Sequence, residues 1–169
     1  EMSSLHDEIR KDPLTGVLNR RGWIDLTARQ IRHMNKFGRT AVSVAILDID
    51  HFKQFNDTHG HDAGDRRLIE FGHMLKLNFR PCDLISRIGG EEFAILLPNC
   101  TVEDSKRIID RIRELPDSKI KFSAGIASLE ECHGLDNAML VADEAMYQAK
   151  NSGRNRCCIG HPQSLHQAA

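Results

Sequence analysis

Apolar and polar positions divide the chain into stretches with the period of a strand or of a helix. Residues 40–50 form a near-continuous apolar run, which is typical of a central strand buried on both faces. Two shorter runs, 83–88 and 93–97, are joined through a Gly-Gly step and predict a β-hairpin, because glycine accepts the positive φ of tight turns. Residues 120–128 and 156–159 are the remaining predicted strands.

Apolar residues three and four positions apart predict helices between these strands. Leu68, Phe71 and Leu75 follow this spacing and are expected to face the core. The predicted helices span residues 20–37, 52–58, 62–77, 101–115 and 135–151, with Thr101 capping the fourth. The other residues expected to point inward are Trp23, Leu26, Ile31, Met34, Ile108, Ile112, Leu115, Met139, Ala142, Ala145, Met146 and Ala149.

The order of these elements is a split βαβ pattern with additions. It predicts an α/β fold of the α+β sandwich type, in which helices flank a central mixed, mainly antiparallel sheet. With 169 residues the chain is long enough for one domain with a stable core. We expect residues 1–11 to be the end of a helix that arrives from elsewhere, 12–160 to be the domain and 161–169 to be a tail.

Composition narrows the classes of function. The formal net charge of −1 argues against a generic nucleic-acid binder, which is usually basic, so a bound polyanion must be held by local charges or a metal. Five cysteines without a Cys-x-x-Cys pair favour reduced thiols over a disulfide framework or a zinc site. Because no apolar run is long enough to span a membrane and no secretory signal is present, we expect a cytoplasmic domain that is not membrane-inserted.

The turn between the hairpin runs holds the first candidate chemistry, Gly89, Gly90, Glu91 and Glu92. Adjacent carboxylates repel each other, and a turn that only closes a hairpin does not need them. Glycines let a large group approach, and a glutamate binds a metal or takes a proton. A solvated acidic turn is the alternative interpretation.

Carboxylates also end the predicted central strand. Asp48 and Asp50 share one face of it, with Ile49 on the other. An aspartate at a strand end near a hairpin glutamate suits Mg²⁺, which takes carboxylate and carbonyl oxygens. Lys53 follows at the start of the short helix, where free N–H groups and the helix dipole favour phosphate. The alternatives are that Asp48 caps this helix and that Lys53 is simply solvated.

Three polar residues within ten positions suit a purine base. Asn56 offers a donor and an acceptor, Asp65 accepts two N–H bonds, and His61 lies between them. Guanine presents N1–H and N2–H₂ donors with an O6 acceptor, whereas adenine lacks the N1–H donor. The alternative is that Asn56 and Asp65 are helix caps beside Gly60 and Gly64.

Lys150 and Arg154 lie four positions apart around the end of the last predicted helix. They would neutralise phosphates, or they are ordinary favourable cations at a helix C-terminus. Together with the candidate base-binding residues, the candidate metal ligands and the glycine turn, Lys150 and Arg154 indicate a nucleoside-triphosphate site. No G-x-x-x-x-G-K-[ST] motif is present, so this site is not a P-loop.

Six stretches occur in the order of one known bacterial family and cover nearly all of residues 12–156. They are DPLTGVLNRR (12–21), DIDHFKQFND (48–57), GHDAGDRRL (60–68), RIGGEEF (87–93), SAGIA (123–127) and ADEAMYQAKNSGRN (142–155). The chain therefore resembles a GGDEF domain, the catalytic domain of bacterial diguanylate cyclases.

The resemblance implies a fold like the palm of polymerases and nucleotidyl cyclases. It implies that two subunits of a homodimer each hold one GTP and that the 3′-hydroxyl of one GTP attacks the α-phosphorus of the other, twice. The products are cyclic di-GMP, a bacterial second messenger, and two pyrophosphates. The implied cofactor is Mg²⁺ or Mn²⁺.

The resemblance also assigns residues to the chemistry. Residues 89–90 would leave room for the GTP phosphates. Glu91 would bind the metal with Asp48 and the carbonyl of Ile49, and it is the candidate proton acceptor. Glu92 is part of the signature, and because the family varies Asp and Glu at the Glu91 position, GGEEF is an intact form.

The remaining implied roles concern the substrate. An Asp at position 65 favours GTP, since a branch of the family that accepts ATP departs from it. Lys53 and the backbone amides around Phe52 would stabilise charge in the transition state. Asn56 and Asp65 would bind guanine, with His61 near the substrate. Lys150 and Arg154 would bind the terminal phosphates.

A second site is implied by RPCD, residues 80–83, which matches the R-x-x-D of the family's product-inhibition site in kind and position. Arg80 would hold a guanine or phosphate of cyclic di-GMP, Asp83 a guanine edge, and Arg111 would join from the same or a neighbouring subunit. The alternative is a surface ion pair that contributes less than about 1 kcal/mol.

Two rival functions remain at this stage. A catalytically silent module that binds GTP or cyclic di-GMP usually has a spoiled signature turn, and this turn is intact. An RNA-recognition module needs aromatic residues on its central strands, and the chain has one Tyr and one Trp. Family members usually carry an N-terminal sensor or receiver domain, which we expect to be missing here and which would be the place of any membrane anchor.

Overall fold

A computed structural model describes residues 2–38 and 40–163. Within these ranges the chain forms one five-stranded sheet with helices on both faces. The strands are β1 (Val42–Ile49), β2 (Leu84–Arg87), β3 (Glu92–Pro98), β4 (Phe122–Ser128) and β5 (Cys157–Ile159). The helices are α1 (Met2–Ile9), α2 (Arg20–Lys36), α3 (Phe52–His59), α4 (His61–Asn78), α5 (Val102–Arg113) and α6 (Leu135–Asn151).

The strands lie in the order β2-β3-β1-β4-β5. β1 pairs antiparallel with β3 and with β4, β2 pairs antiparallel with β3, and only β5 runs parallel to its neighbour β4. The predicted mixed, mainly antiparallel sheet flanked by helices is therefore confirmed. Asp48 near the C-terminal end of β1 pairs with Glu92 at the N-terminal end of β3. The hairpin β2–β3 therefore brings the glycine turn next to the C-terminal end of β1.

The sheet separates two hydrophobic cores, so β1 is buried on both faces as predicted. One core lies under α2 and α6 and includes Trp23, Ile46 and Val141. The other lies under α4 and α5, where Phe71 packs edge-on against Phe93 and Phe122. Within the described ranges, no helix is both long and apolar enough to cross a membrane.

Gly125 in β4 lets α6 lie directly on the sheet. A Cβ atom at this position would lie 1.9 Å from the carbonyl oxygen of Ala142 and 2.3 Å from the amide nitrogen of Met146. Both are backbone atoms of α6 and cannot rotate away. The glycine of the SAGIA stretch therefore sets the distance between the sheet and the helix that carries Lys150.

Some predicted inward positions differ from those observed. Leu26 and Ile31 of α2 are only partly buried, because α2 covers the sheet at Trp23 and Met34 and leaves its flank open. In α5 the fully buried pair is Ile109 and Ile112. The predicted Ile108 is partly buried, since α5 is oriented with Ile109 inward. Leu115 lies beyond the end of α5 at Arg113 and is partly buried at the margin of the core, and Met139 of α6 is likewise partly buried.

Candidate active site

The ends of β1 and β3 bring the predicted metal ligands together. Asp48 pairs with Glu92 across the two strands, and the N–H of Ile49 donates to the carbonyl oxygen of Glu91 at 3.3 Å. Glu92 is the first residue of β3, so only Glu91 belongs to the turn. Asp48 is 7% exposed, and both glutamates are partly buried. Asp48 and Glu92 are thus held on paired strands at the rim of the sheet, and Glu91 stands beside them at the end of the turn.

Lys150 reaches this rim from the last turn of α6. Its Nζ lies 2.5 Å from Oδ1 of Asp48, across 102 positions of sequence. The interpretation of Asp48 as a helix cap is wrong, because α3 begins after His51, which has a φ of +56° and makes no side-chain cap. Lys150 is therefore a partner of the candidate metal site as well as a cation at the end of a helix.

Burial and repulsion between neighbouring carboxylates raise the pKa of two residues, Asp48 and Glu92. Burial raises the pKa of Asp48, an effect that Lys150 opposes and Glu91 reinforces. Burial also raises the pKa of Glu92, and the carboxylates of Asp143 and Asp48 add to the rise. Several negative charges in a partly desolvated site favour a bound cation. Sequence reasoning missed Asp143, although its position seven residues before Lys150 places both on one face of α6.

The donor set fits a divalent cation that arrives with a nucleotide. Within residues 2–38 and 40–163, no group of three or more His, Cys, Asp or Glu side chains is arranged to hold a metal ion alone. Asp48, Glu91 and the Ile49 carbonyl are hard oxygen donors from two elements. Mg²⁺ is usually bound by one or two carboxylates together with substrate phosphates, so this sparse set suits it.

Glu92→Gln is expected to raise the Tm at pH 8 by a few degrees and to change it little at pH 4. Because its folded-state pKa is raised, the stability contributed by Glu92 is present below the ordinary value of 4.5 and lost as the pH rises through the folded pKa. Glutamine stays neutral and avoids that loss. Thermal unfolding at both pH values tests this, with the exposed Glu70→Gln as control. An equal shift at both pH values would contradict it.

The Gly-Gly turn differs from the predicted tight turn. Neither Gly89 nor Gly90 has a positive φ, because four residues, 88–91, connect the strands and no primed two-residue turn is needed. A Cβ at Gly90 would have no atom of the described residues within 4 Å. Arg87 steadies the turn by donating from Nε to the Gly90 carbonyl at 2.9 Å while it pairs with Asp12 at 3.3 Å. Gly90 therefore faces open space, whereas a Cβ at Gly89 would lie 3.4 Å from the Cβ of Glu92.

The predicted base-reading residues lie on α3 and α4. Asn56 is inside α3, and its Oδ1 is buried without a hydrogen-bond partner among residues 2–38 and 40–163. It rests against Gly64 of α4, where a Cβ would lie 1.7 Å from that oxygen. His61 and Asp65 are exposed and one turn apart on α4. Neither Asn56 nor Asp65 caps a helix, so that alternative is wrong. A buried unpartnered acceptor is costly and therefore points to a ligand.

The other predicted substrate contacts lie at the start of α3 and just after α6. Phe52 is buried at the first position of α3, and Lys53 is exposed beside it. Arg154 is exposed just beyond α6, with a φ of +62°. The predicted cations thus stand at the start of one helix and beyond the end of another.

The residues of the predicted second site are already paired with each other. Arg80 donates from Nη2 to Oδ1 of Asp83 at 2.8 Å and to the carbonyl of Pro98 at 2.7 Å. The buried Asp83 also accepts from the N–H of Arg80 at 2.8 Å, so it caps the turn. Arg111 is exposed on α5, and the described contacts do not join it to this pair. A ligand here would have to replace part of the Arg80–Asp83 fork.

A family model and several curated relatives match most of this chain in sequence. Residues 9–156 match the family model described as diguanylate cyclase, GGDEF domain. Diguanylate cyclase DosC of Escherichia coli K12 is 36% identical over 160 residues, which are 88% of this chain and 35% of DosC. The chain spans less than half the length of such curated relatives.

Solved structures share the fold. The coiled coil and GGDEF domain of DgcB from Caulobacter crescentus, in complex with c-di-GMP, superimposes with a TM-score of 0.84 at 28% identity and covers 94% of this chain and 90% of that one. The active GGEEF domain of a diguanylate cyclase from Vibrio cholerae gives 0.74 at 36% identity, with 85% and 97% covered. The chain belongs to the GGDEF family.

Proposed function

We propose that this domain is a diguanylate cyclase that condenses two GTP molecules into cyclic di-GMP. The observation that carries the proposal is the meeting of Asp48, Glu91 and Glu92 with Lys150 at one rim of the sheet. The buried, unpartnered Oδ1 of Asn56 supports a base-binding role beside it. Family membership supports the choice of GTP and of the product.

The chemistry is two nucleotidyl transfers. In each, the 3′-oxygen of one GTP forms a bond to the α-phosphorus of the other, the bond from that phosphorus to the bridging oxygen breaks, and pyrophosphate leaves with the electron pair. Glu91 accepts the proton of the attacking hydroxyl. Lys53 and the amides at the start of α3 stabilise the charge on the phosphoryl oxygens, and Asn56 and Asp65 orient guanine.

Mg²⁺ or Mn²⁺ held by Asp48, Glu91 and the Ile49 carbonyl would act as a Lewis acid towards the phosphate oxygens. Lys150 and Arg154 would bind the terminal phosphates. Because Lys150 is paired with Asp48, GTP binding would exchange this contact for phosphate contacts and leave the carboxylate to the cation. Two side chains, Lys150 and Asp48, would thereby change partners when the substrate enters.

Each domain supplies half of the reaction, so activity requires a homodimer. We expect the specific activity to rise with protein concentration and to become independent of it when a dimeric coiled coil is fused before residue 1. Cyclic di-GMP is quantified by chromatography after incubation with GTP and Mg²⁺. A specific activity that does not depend on concentration in an unfused domain that light scattering shows to be a monomer would contradict the two-subunit mechanism.

Gly64→Ala is expected to weaken GTP binding by at least about tenfold with only a modest loss of stability. The new Cβ would displace the side-chain oxygen of Asn56, which is the end of a movable side chain and not backbone. Calorimetric titration with GTP and with ATP measures the effect, and the preference for GTP should fall. Gly72→Ala, two turns further along α4 against Thr15, is the matched control that should keep the preference.

We also propose product inhibition at the Arg80–Asp83 turn, with cyclic di-GMP taking over donors of the fork and Arg111 as an additional contact. Arg80→Ala should raise the cyclic di-GMP concentration that halves the rate by at least about tenfold. Arg107→Ala, at an exposed arginine of α5 that pairs with Asp104 on the same helix, is the control. Unchanged inhibition in the Arg80 variant would assign the turn a structural role alone.

The cellular setting follows from the same proposal. The catalytic domain spans residues 12–160, and residues 1–11, which include α1, connect it to an N-terminal sensor or receiver domain. The tail after 160 lies mostly outside the described residues. Catalysis takes place in the cytoplasm, where GTP is available, whether or not the complete protein is anchored to a membrane.

A further inference from the structure

The turn that carries Arg154 has an uncommon backbone. Gly153, Arg154 and Asn155 follow α6 with φ angles of +124°, +62° and +47°. Residues with a Cβ rarely adopt this region, so two of the three positions are strained. Backbone of this kind persists only where surrounding contacts hold it.

Asp50, two residues beyond the candidate metal ligand Asp48, supplies the holding contact. Its Oδ2 accepts from the N–H of Asn155 at 2.9 Å. Its Oδ1 accepts from the hydroxyl of Ser123 at 2.7 Å, and its own N–H donates to the carbonyl of Lys121 at 2.9 Å. Asp50 is 7% exposed and Ser123 is fully buried. Both carboxylate oxygens are thus occupied inside the protein.

Arg154 is fixed from both sides. Its own N–H donates to the carbonyl of Ala149 in α6 at 3.0 Å, and the next N–H in the chain is the one bound by Asp50. A backbone N–H bound to a carboxylate is the stronger kind of hydrogen bond. The left-handed turn is therefore tied to the end of β1, the same strand that carries Asp48.

We propose that Asp50 is a positioning residue that aligns the phosphate-binding cation Arg154 with the metal-binding end of β1. The inference rests on the proposed function, because it needs Arg154 to contact the terminal phosphates. The sheet beyond the turn has its own support: Ala124 N–H donates to the carbonyl of Arg156 at 2.9 Å, and β5 pairs with β4 from Cys157 onwards. Loss of the Asp50 contact should therefore release the turn without unfolding the domain.

Two ligands separate this role from general stability. One is a GTP analogue whose α–β bridging oxygen is a methylene group, so that pyrophosphate cannot leave, and the other is GMP, which has no terminal phosphates. In calorimetric titrations with Mg²⁺, Asp50→Ala should weaken the analogue about tenfold and leave GMP unchanged. Asp50→Asn should restore affinity to within about threefold, since its amide oxygen accepts from Asn155 and its amide group donates to Ser123.

A double variant tests whether Asp50 acts through Arg154. Asp50→Ala combined with Arg154→Ala should bind the analogue no more weakly than Arg154→Ala alone, because the second change removes what the first misplaces. Additive losses, or equal losses for GMP and the analogue, would overturn the proposal.

If Asp50→Ala does not fold, Ser123→Ala decides the question, since it removes one hydrogen bond from the same carboxylate with little change of volume. It should weaken the analogue about threefold and spare GMP. An unchanged affinity for the analogue in this variant would overturn the proposal. A parent domain that does not bind the analogue at all would instead contradict the proposed function, and the role of Asp50 with it.

Discussion

Glu91→Gln is expected to lower cyclic di-GMP formation by at least about a thousandfold while the domain stays folded. Glutamine has nearly the same shape but cannot take the proton of the 3′-hydroxyl and is a poor ligand for Mg²⁺. The backbone bond from Ile49 to residue 91 does not involve the side chain, so the hairpin keeps its place beside β1. The loss should therefore appear in the rate and not in the Tm.

Two further variants serve as comparisons for Glu91→Gln. Glu91→Asp should keep much of the activity, because the family uses either acid at this position. Glu103→Gln, at an exposed glutamate in the first turn of α5, should behave as the parent. Chromatography of the nucleotides after incubation with GTP and Mg²⁺ measures all three. If Glu91→Gln retained more than about a tenth of the parent rate, Glu91 would not be the proton acceptor.

Gly125→Ala is expected to lower the free energy of unfolding by about 3 kcal/mol or to prevent folding. The new methyl group would meet the backbone of α6 at Ala142 and Met146, and no side-chain rotation relieves that overlap. α6 would have to lift from β4. Because Lys150 reaches Asp48 from this helix, nucleotide binding should fall together with stability.

Urea unfolding followed by circular dichroism measures this effect. Gly90→Ala is the matched control for stability, since a Cβ at that position has no atom within 4 Å. The control should unfold within about 0.5 kcal/mol of the parent. A Gly125→Ala variant that is as stable as the control would show that α6 shifts at little cost, contrary to the packing described above.

The local pattern of apolar residues was sufficient to predict which segments form helices and which form strands. The apolar run of β1 and the spacing of small and apolar residues in α6 are signals within one segment, and α6 has the predicted bounds of 135–151. The strand-end position of Asp48 and the helix-start position of Lys53 were also expected from the sequence, whereas Asn56 lies inside α3. Such signals arise because backbone periodicity decides which side chains share a face.

Contacts between distant segments could not be predicted in this way. Lys150 pairs with Asp48 across 102 positions, and no pattern in either segment points to the other. The same holds for Asp50 and Asn155, whose tie depends on where α6 ends over β1. The φ angles of Gly89 and Gly90 were predicted wrongly because loop length, not composition, determined the turn type. Tertiary geometry, and not residue type, decides these features.

The most direct test of the central claim is the identity of the product. The dimeric fusion is incubated with GTP labelled at the α-phosphate, in the presence of Mg²⁺, and the nucleotides are separated by chromatography. Label appearing in cyclic di-GMP, with two pyrophosphates released for each molecule formed and none produced by Glu91→Gln, is the expected result. GTP that remains bound but unchanged by the dimeric fusion would contradict the claim that this domain is a cyclase.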